Sequence, residues 1–226
     1  MTLVPRIVLD ACSSLPQDAD RAVLVGRAWR PEAGGPSVVA VRDREVIDVT
    51  RAFPTVSDLC GRPDPAAALR AAEGEPIGAL QTLLDDTPPQ VRDATRPWLL
   101  APVDLQPIKA AGVTFAAPML ERVIEERGES SLARISRDPL ELVAQLIGPH
   151  HQYPDGVLLF LGTMFAPTED RGAPGQGFTH ATGDRVTIAA PRLGALVNRI
   201  RPTHECEPWT FGIGALMRNL AARGLL

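Results

Sequence analysis

Lysine is almost missing. Of the 23 basic residues among 226, Lys109 alone is a lysine and the other 22 are arginine. That skew reads as genome base composition rather than function. With 27 acids the net charge is −4, so the chain lacks the basic face that a general phosphate-backbone binder needs. No nucleic-acid partner is expected, although a local basic pocket for an anionic metabolite stays possible. Aromatic residues make up 4 %, too few for the stacking platforms of a single-strand binder. The three cysteines, Cys12, Cys60 and Cys206, are odd in number and far apart. They exclude a disulfide framework and contain no Cys-x-x-Cys. Reduced thiols of a cytoplasmic protein, some of them buried, are the expectation. No apolar run approaches the ~18 residues that cross a bilayer, so no membrane partner is expected. The first residues (MTLVPRIVLDACSSLPQDAD) do not read as a signal peptide, because they bring acids early and no apolar core of sufficient length.

What is present suits a folded chain. Hydrophobic residues are 45 % and charged ones 22 %, and the mean hydropathy is +0.01, which excludes disorder along the whole length. Short Val- and Ile-rich strands are predicted at 22–28, 38–42 and 45–49. The Asp43-Arg44 link makes the last two a hairpin. Helices are predicted at 65–72 and 76–84, with an extended, proline-punctuated stretch at 97–105. This first third contains no histidine and no polar cluster with evident chemistry. A strand from Lys109 to Phe115 then runs into a turn, and a helix is predicted to open at Pro118. A second helix, 139–147, has Asp138 as N-cap, Pro139 in its first turn, Glu141 as capping-box partner, and Leu142, Val143, Leu146 and Ile147 as its buried face. The run VLLFL at 157–161 reads as a fully buried strand. A Gly- and Pro-rich loop at 166–184, strands at 186–189 and 196–200, and a helix at 213–224 complete the chain.

Several groups could carry chemistry. The junction Gly112–Glu121 offers backbone N–H groups, Thr114 and Glu121 to a carboxylate. Gly162-Thr163 ends an apolar strand where a long loop opens, a place suited to a carboxylate or keto oxygen. His150-His151 are neighbours and read as a solvated pair. His204-Glu205-Cys206-Glu207 offers three ligand types but has no second cluster at zinc spacing. Gly172–Gly177 (GAPGQG) lacks the Lys-Ser/Thr ending of a phosphate loop.

Taken together these segments resemble, in their order, the fumarylacetoacetate hydrolase family, and its 2-keto-3-deoxy sugar-acid dehydratase branch in particular. The family's opening motif, Gly-x-Asn-Tyr-x-x-His-x-x-Glu, falls on Gly112–Glu121, with Thr114, Phe115 and Pro118 in place of Asn, Tyr and His, and Glu121 matching. FLGTMFAPTEDRGAPGQGFTHATGDRVTIAAPRLGALVN is similar to the family's Gly-Thr strand end, glycine-rich loop and closing hairpin. ISRDPLELVAQLIGPHHQYPDG and WTFGIGALMRNLAARGLL resemble the dehydratase branch.

The resemblance implies an α+β chain. A small N-terminal α/β cap domain would span 1–105, and a truncated β-rich catalytic domain 106–226. It implies Mg²⁺ held by carboxylates, a 2-keto acid chelated by that ion, an enolate formed by proton removal at C3, and loss of the neighbouring hydroxyl. Glu121 would be the acid/base or water-orienting group. Arg122 would pair with the substrate carboxylate. Thr114, Gly162 and Thr163 would hold the keto-acid end. Pro118 replaces the histidine that activates water in the hydrolase members, which favours the lyase over the C–C hydrolase.

The family's metal carboxylates lie between the opening motif and the ISRDP segment, and here those two nearly touch across Glu126–Ser131. Two Glu-x-Glu triplets, Glu73–Glu75 and Glu205–Glu207, stand out of order and take no ligand role. The expectation is therefore a family member with a large internal deletion, impaired as a lyase, with exposed strand edges and self-association as consequences. The alternative is a non-catalytic remnant, an association module or a 2-keto-acid-binding module.

Overall fold

The computed structural model describes residues 7–111, 138–161 and 170–226. The chain divides into two compact units, Met1–Leu105 with Ala181–Leu226, and Gln106–His180. The architecture is mixed α+β: one five-stranded antiparallel sheet and two small sheets.

The first unit is built on β1 (Leu24–Arg30), β2 (Gly35–Arg42), β3 (Glu45–Asp48), β4 (Glu75–Ala79) and β5 (Trp98–Leu100), in the order β4-β3-β2-β1-β5. β2 is central, and alternation along it feeds two cores. Val39 packs with Ala11, Ala28, Val46, Leu80, Leu83 and Leu84. Val38 and Ala40 pack with Val49, Phe53, Val56, Leu59 and Leu69. That is why β2 reads as an unbroken apolar run. The first core is capped by α1 (Ala11–Ser14) and α4 (Leu80–Asp86), the second by α2 (Val56–Cys60) and α3 (Pro65–Ala71).

Local chemistry sets these boundaries. The Thr55 hydroxyl accepts from the Asp58 N–H at 3.0 Å, and the Asp58 carboxylate accepts from the Thr55 N–H at 3.0 Å, a reciprocal cap that starts α2. The Asp104 carboxylate accepts the Val56 N–H at 2.6 Å on the same helix start. Asp64 caps α3, whose first turn contains Pro65. The expected helix 76–84 is corrected: Glu75–Ala79 is strand β4, paired antiparallel with β3, and helix begins only at Leu80. Gly78, at φ +139°, breaks the helical pattern, and the open edge of β3 takes the segment's hydrogen bonds instead.

The β2–β3 hairpin closes through Asp43 and Arg44, at φ +49° and +66°. Two left-handed residues in a two-residue link suit strand twist, but side chains resist this region. Arg44→Gly is expected to stabilise the chain by about 1 kcal/mol, read as a higher urea midpoint at unchanged slope. An unchanged or lower midpoint contradicts this account of the turn.

The later part of the chain returns to this unit. β8 (Arg185–Ala190) and β9 (Gly194–Arg199) form a hairpin that lies on α1. The Gln17 N–H donates to the Pro191 carbonyl at 2.8 Å. Gly194 sits so close to α1 that a Cβ there would lie 2.1 Å from the Ser14 carbonyl oxygen. The C-terminal helix α6 (Ile213–Ala222) buries Leu216 and Leu220 and reaches β2. Asn219 donates to the Ala33 carbonyl at 2.7 Å, and Arg223 to the Pro36 carbonyl at 3.0 Å.

The second unit contains β6 (Ile108–Ala110) and β7 (Leu158–Phe160), paired in parallel, and α5 (Pro139–Leu146). The Asp138 cap on α5 is present, accepting the Leu140 N–H at 2.7 Å, but the expected Glu141 return bond is not part of it. Pro139, which has no N–H, stands at its first position. Two expectations about burial are corrected. β7 is a strand but not a buried one, since Phe160 is 53 % exposed. Of the predicted buried face of α5 only Leu142 is buried, while Val143 and Ile147 are exposed. All three cysteines are free and exposed, so no thiol is buried.

Candidate functional site

A cleft with a volume of about 850 Å³ lies in the first unit. Its floor is an ionic network that begins at the end of β3. Asp48 is only 8 % exposed. Its carboxylate accepts the Thr50 N–H at 2.8 Å and the Thr50 hydroxyl, which bends the chain out of β3. Arg30, the last residue of β1, donates from Nη1 to Asp48 Oδ2 at 2.7 Å. The same guanidinium reaches Glu32 at 2.6 Å and Glu75 at 3.1 Å. Arg223, one residue past α6, donates to the Ser37 hydroxyl at 3.0 Å and lies 3.8 Å from Asp48. Three strands and the C-terminal helix therefore converge on one carboxylate.

The electrostatics follow from this packing. Burial works against charge on Asp48, but hydrogen bonds from Thr50, Arg30 and Ser37 outweigh it and hold the carboxyl below the usual aspartate range. Burial likewise opposes charge on Arg30, and its bonds to Asp48, Glu32 and Glu75 reverse the balance and raise its pKa. Backbone approach completes the wall. At Gly74 a Cβ would lie 2.2 Å from the Asp48 carbonyl oxygen, so only glycine lets the chain cross here and set Glu73 and Glu75 on the cleft. This arrangement was not legible in the sequence. Its residues are spread from 30 to 223, and the first third, which supplies most of them, shows no polar cluster in linear order. The Glu73–Glu75 triplet was the one visible signal.

The implied Mg²⁺ does not fit the described residues. Among them no group of three or more His, Cys, Asp and Glu side chains could hold a metal ion. The carboxylates of Asp48, Glu32 and Glu75 converge on Arg30, a guanidinium, instead. His204-Glu205-Cys206-Glu207 is exposed, with His204 and Glu205 4.0 Å apart. His150 and His151 are exposed beside the Gly148–His151 bridge. The Gly172–Gly177 loop turns its N–H groups on its own acid. Asp170 accepts from Gly175 and Gly177, both at 2.6 Å, so these two donors are already engaged.

Every residue assigned a role by resemblance lies outside the described residues: Glu121, Arg122, Thr114, Gly162 and Thr163. So does the predicted helix at Pro118. No described helix is long and apolar enough to cross a membrane. Compared with family models, with curated proteins and with solved structures, the chain gives no match.

Proposed function

We propose that the chain derives from a fumarylacetoacetate-hydrolase-like lyase of the dehydratase branch and works as a non-catalytic, self-associating module. Its ancestral dehydration of a 2-keto-3-deoxy sugar acid is impaired. One observation carries the associating role: the β6–β7 pair. Among the described residues no third strand joins it, whereas parallel sheets are stable almost only when both faces are covered. Ile108 and Phe160 on these strands and Leu161 just past β7 are exposed, and so are Leu140 and Val143 of α5 and Ile147 at its end, in the same unit. Apolar surface in this density is what a protein partner covers. The partner in this reading is a second copy. The resemblance supports the family, through the order of motifs from Gly112 to the C-terminal helix, and the shortness of the sequence between the opening motif and the ISRDP segment, residues 126–131, supports the loss of the metal-bearing stretch.

No step through Mg²⁺ follows from this chain's described side chains. In the parent reaction Glu121 would move a proton and Arg122 would pair with a carboxylate, with Thr114, Gly162 and Thr163 orienting the acid.

Two measurements test the proposal together. Sedimentation equilibrium of the full chain is expected to give a mass that rises with concentration, and Ile108→Glu with Phe160→Glu is expected to return it to monomer. Assay with Mg²⁺ and 2-keto-3-deoxy sugar acids is expected to show no turnover. A concentration-independent monomer overturns the associating role, and metal-dependent turnover overturns the impairment.

A further inference from the structure

The cleft over Asp48 is independent of that reading, and its lining is chemically unusual. Most lining residues are ionisable, and the cleft is within the size range of small-molecule sites. Its charged groups divide into two sets. Arg30, Asp48, Glu32, Glu75 and Arg223 are tied to one another and form the fixed part. Arg51 and Glu73 line the same cleft, are exposed, and have no partner among the described residues, not even each other. A buried ionic floor is costly to build and adds little net stability. Where paired charges of this kind line a cleft, the cleft is a candidate functional site.

We infer that this cleft binds a small zwitterion, an organic acid bearing an ammonium group, with its carboxylate on Arg51 and its ammonium on Glu73. A guanidinium matches a carboxylate in bidentate geometry. The free carboxylate of Glu73, on the same lining, suits an ammonium better than a neutral hydroxyl. The fixed floor holds both walls, so binding leaves Asp48 paired and needs no rearrangement of the sheet.

Calorimetric titration of the full chain tests this with glycine, γ-aminobutyrate and L-lysine, which separate the two charges by different lengths. Propionate, propylamine and gluconate are the controls. One zwitterion is expected to bind saturably, at least about tenfold tighter than each control. Arg51→Met and Glu73→Gln are each expected to weaken it at least about tenfold with an unchanged melting temperature, since neither side chain has a partner to lose. Arg70→Met, on α3 and outside the cleft, is expected to leave the affinity unchanged. Absence of saturation by any zwitterion at about 10 mM, or indifference to both substitutions, overturns the site. Gluconate binding as tightly as the best zwitterion overturns the ammonium assignment. The oligomeric state of the chain does not enter these outcomes, so failure here is distinguishable from failure of the associating role.

Discussion

Arg30→Met is expected to lower folding stability by about 3 kcal/mol. The reason is asymmetry. Asp48 stays buried when Arg30 is removed, and among the described residues Arg223, at 3.8 Å, is the guanidinium left paired with it. An uncompensated buried carboxylate is costly, while the bonds of Arg30 to the exposed Glu32 and Glu75 contribute little. Urea unfolding checks the prediction, with a lowered midpoint at unchanged slope. Glu75→Gln, which breaks only an exposed pair, is expected to shift stability by less than about 1 kcal/mol. Equal effects from the two variants would mean that Asp48 is not the centre of the network.

The same network sets an acid limit. The folded-state pKa of Asp48 is depressed, so its contribution is present above the ordinary aspartate pKa of about 3.9 and is lost as pH falls through the lower folded value. In wild type, the Asp48 contribution is therefore lost progressively as pH falls below about 5. In Arg30→Met one of the hydrogen bonds holding the pKa down is gone, so the folded value lies nearer the unfolded one and the acid limb is smaller and ends at higher pH. A titration of stability against pH in which the two proteins run parallel would contradict the coupling.

Leu220→Ala is expected to cost about 2–4 kcal/mol. Leu220 is 2 % exposed and sits on α6, between Asn219, which bonds the Ala33 carbonyl, and Arg223, which bonds Ser37. Its loss leaves a cavity between the C-terminal helix and a sheet assembled from the first hundred residues. Leu193→Ala is the matched comparison. That side chain is 85 % exposed at the β8–β9 turn, and its removal is expected to change stability by no more than about 0.5 kcal/mol. A small effect at Leu220 would mean that α6 does not belong to the first unit.

Local patterns were legible where local forces decide. The Val-rich run of β2, the Asp43-Arg44 link, Pro65 after Asp64 and the amphipathic stretch from Ile213 each point to the element observed. Thr55-Val56-Ser57-Asp58 contains a capping pattern that went unread, because five residues make a faint helical signal. The segment 76–84 misled because its apolar spacing fits a helix, while pairing with β3, a tertiary effect, claims its first part. The run at 157–161 suggested burial because apolar runs usually are buried, and sequence does not say what covers a strand. The Asp48 cleft was illegible for a plainer reason. Arg30, Asp48, Glu75 and Arg223 share no spacing, and only the folded sheet with α6 against it brings them together.

A first unit drawn from both ends of the chain also has a temporal side. Leu105 leaves the ribosome well before Leu220 does, and at ordinary elongation speeds the gap is on the order of ten seconds. During that interval the nascent sheet carries Ser37 and Asp48 without Arg223, and an apolar patch without α6. Any message cut short before the codons of α6 yields a product without these contacts, and such a product is the natural prey of chaperones and proteases.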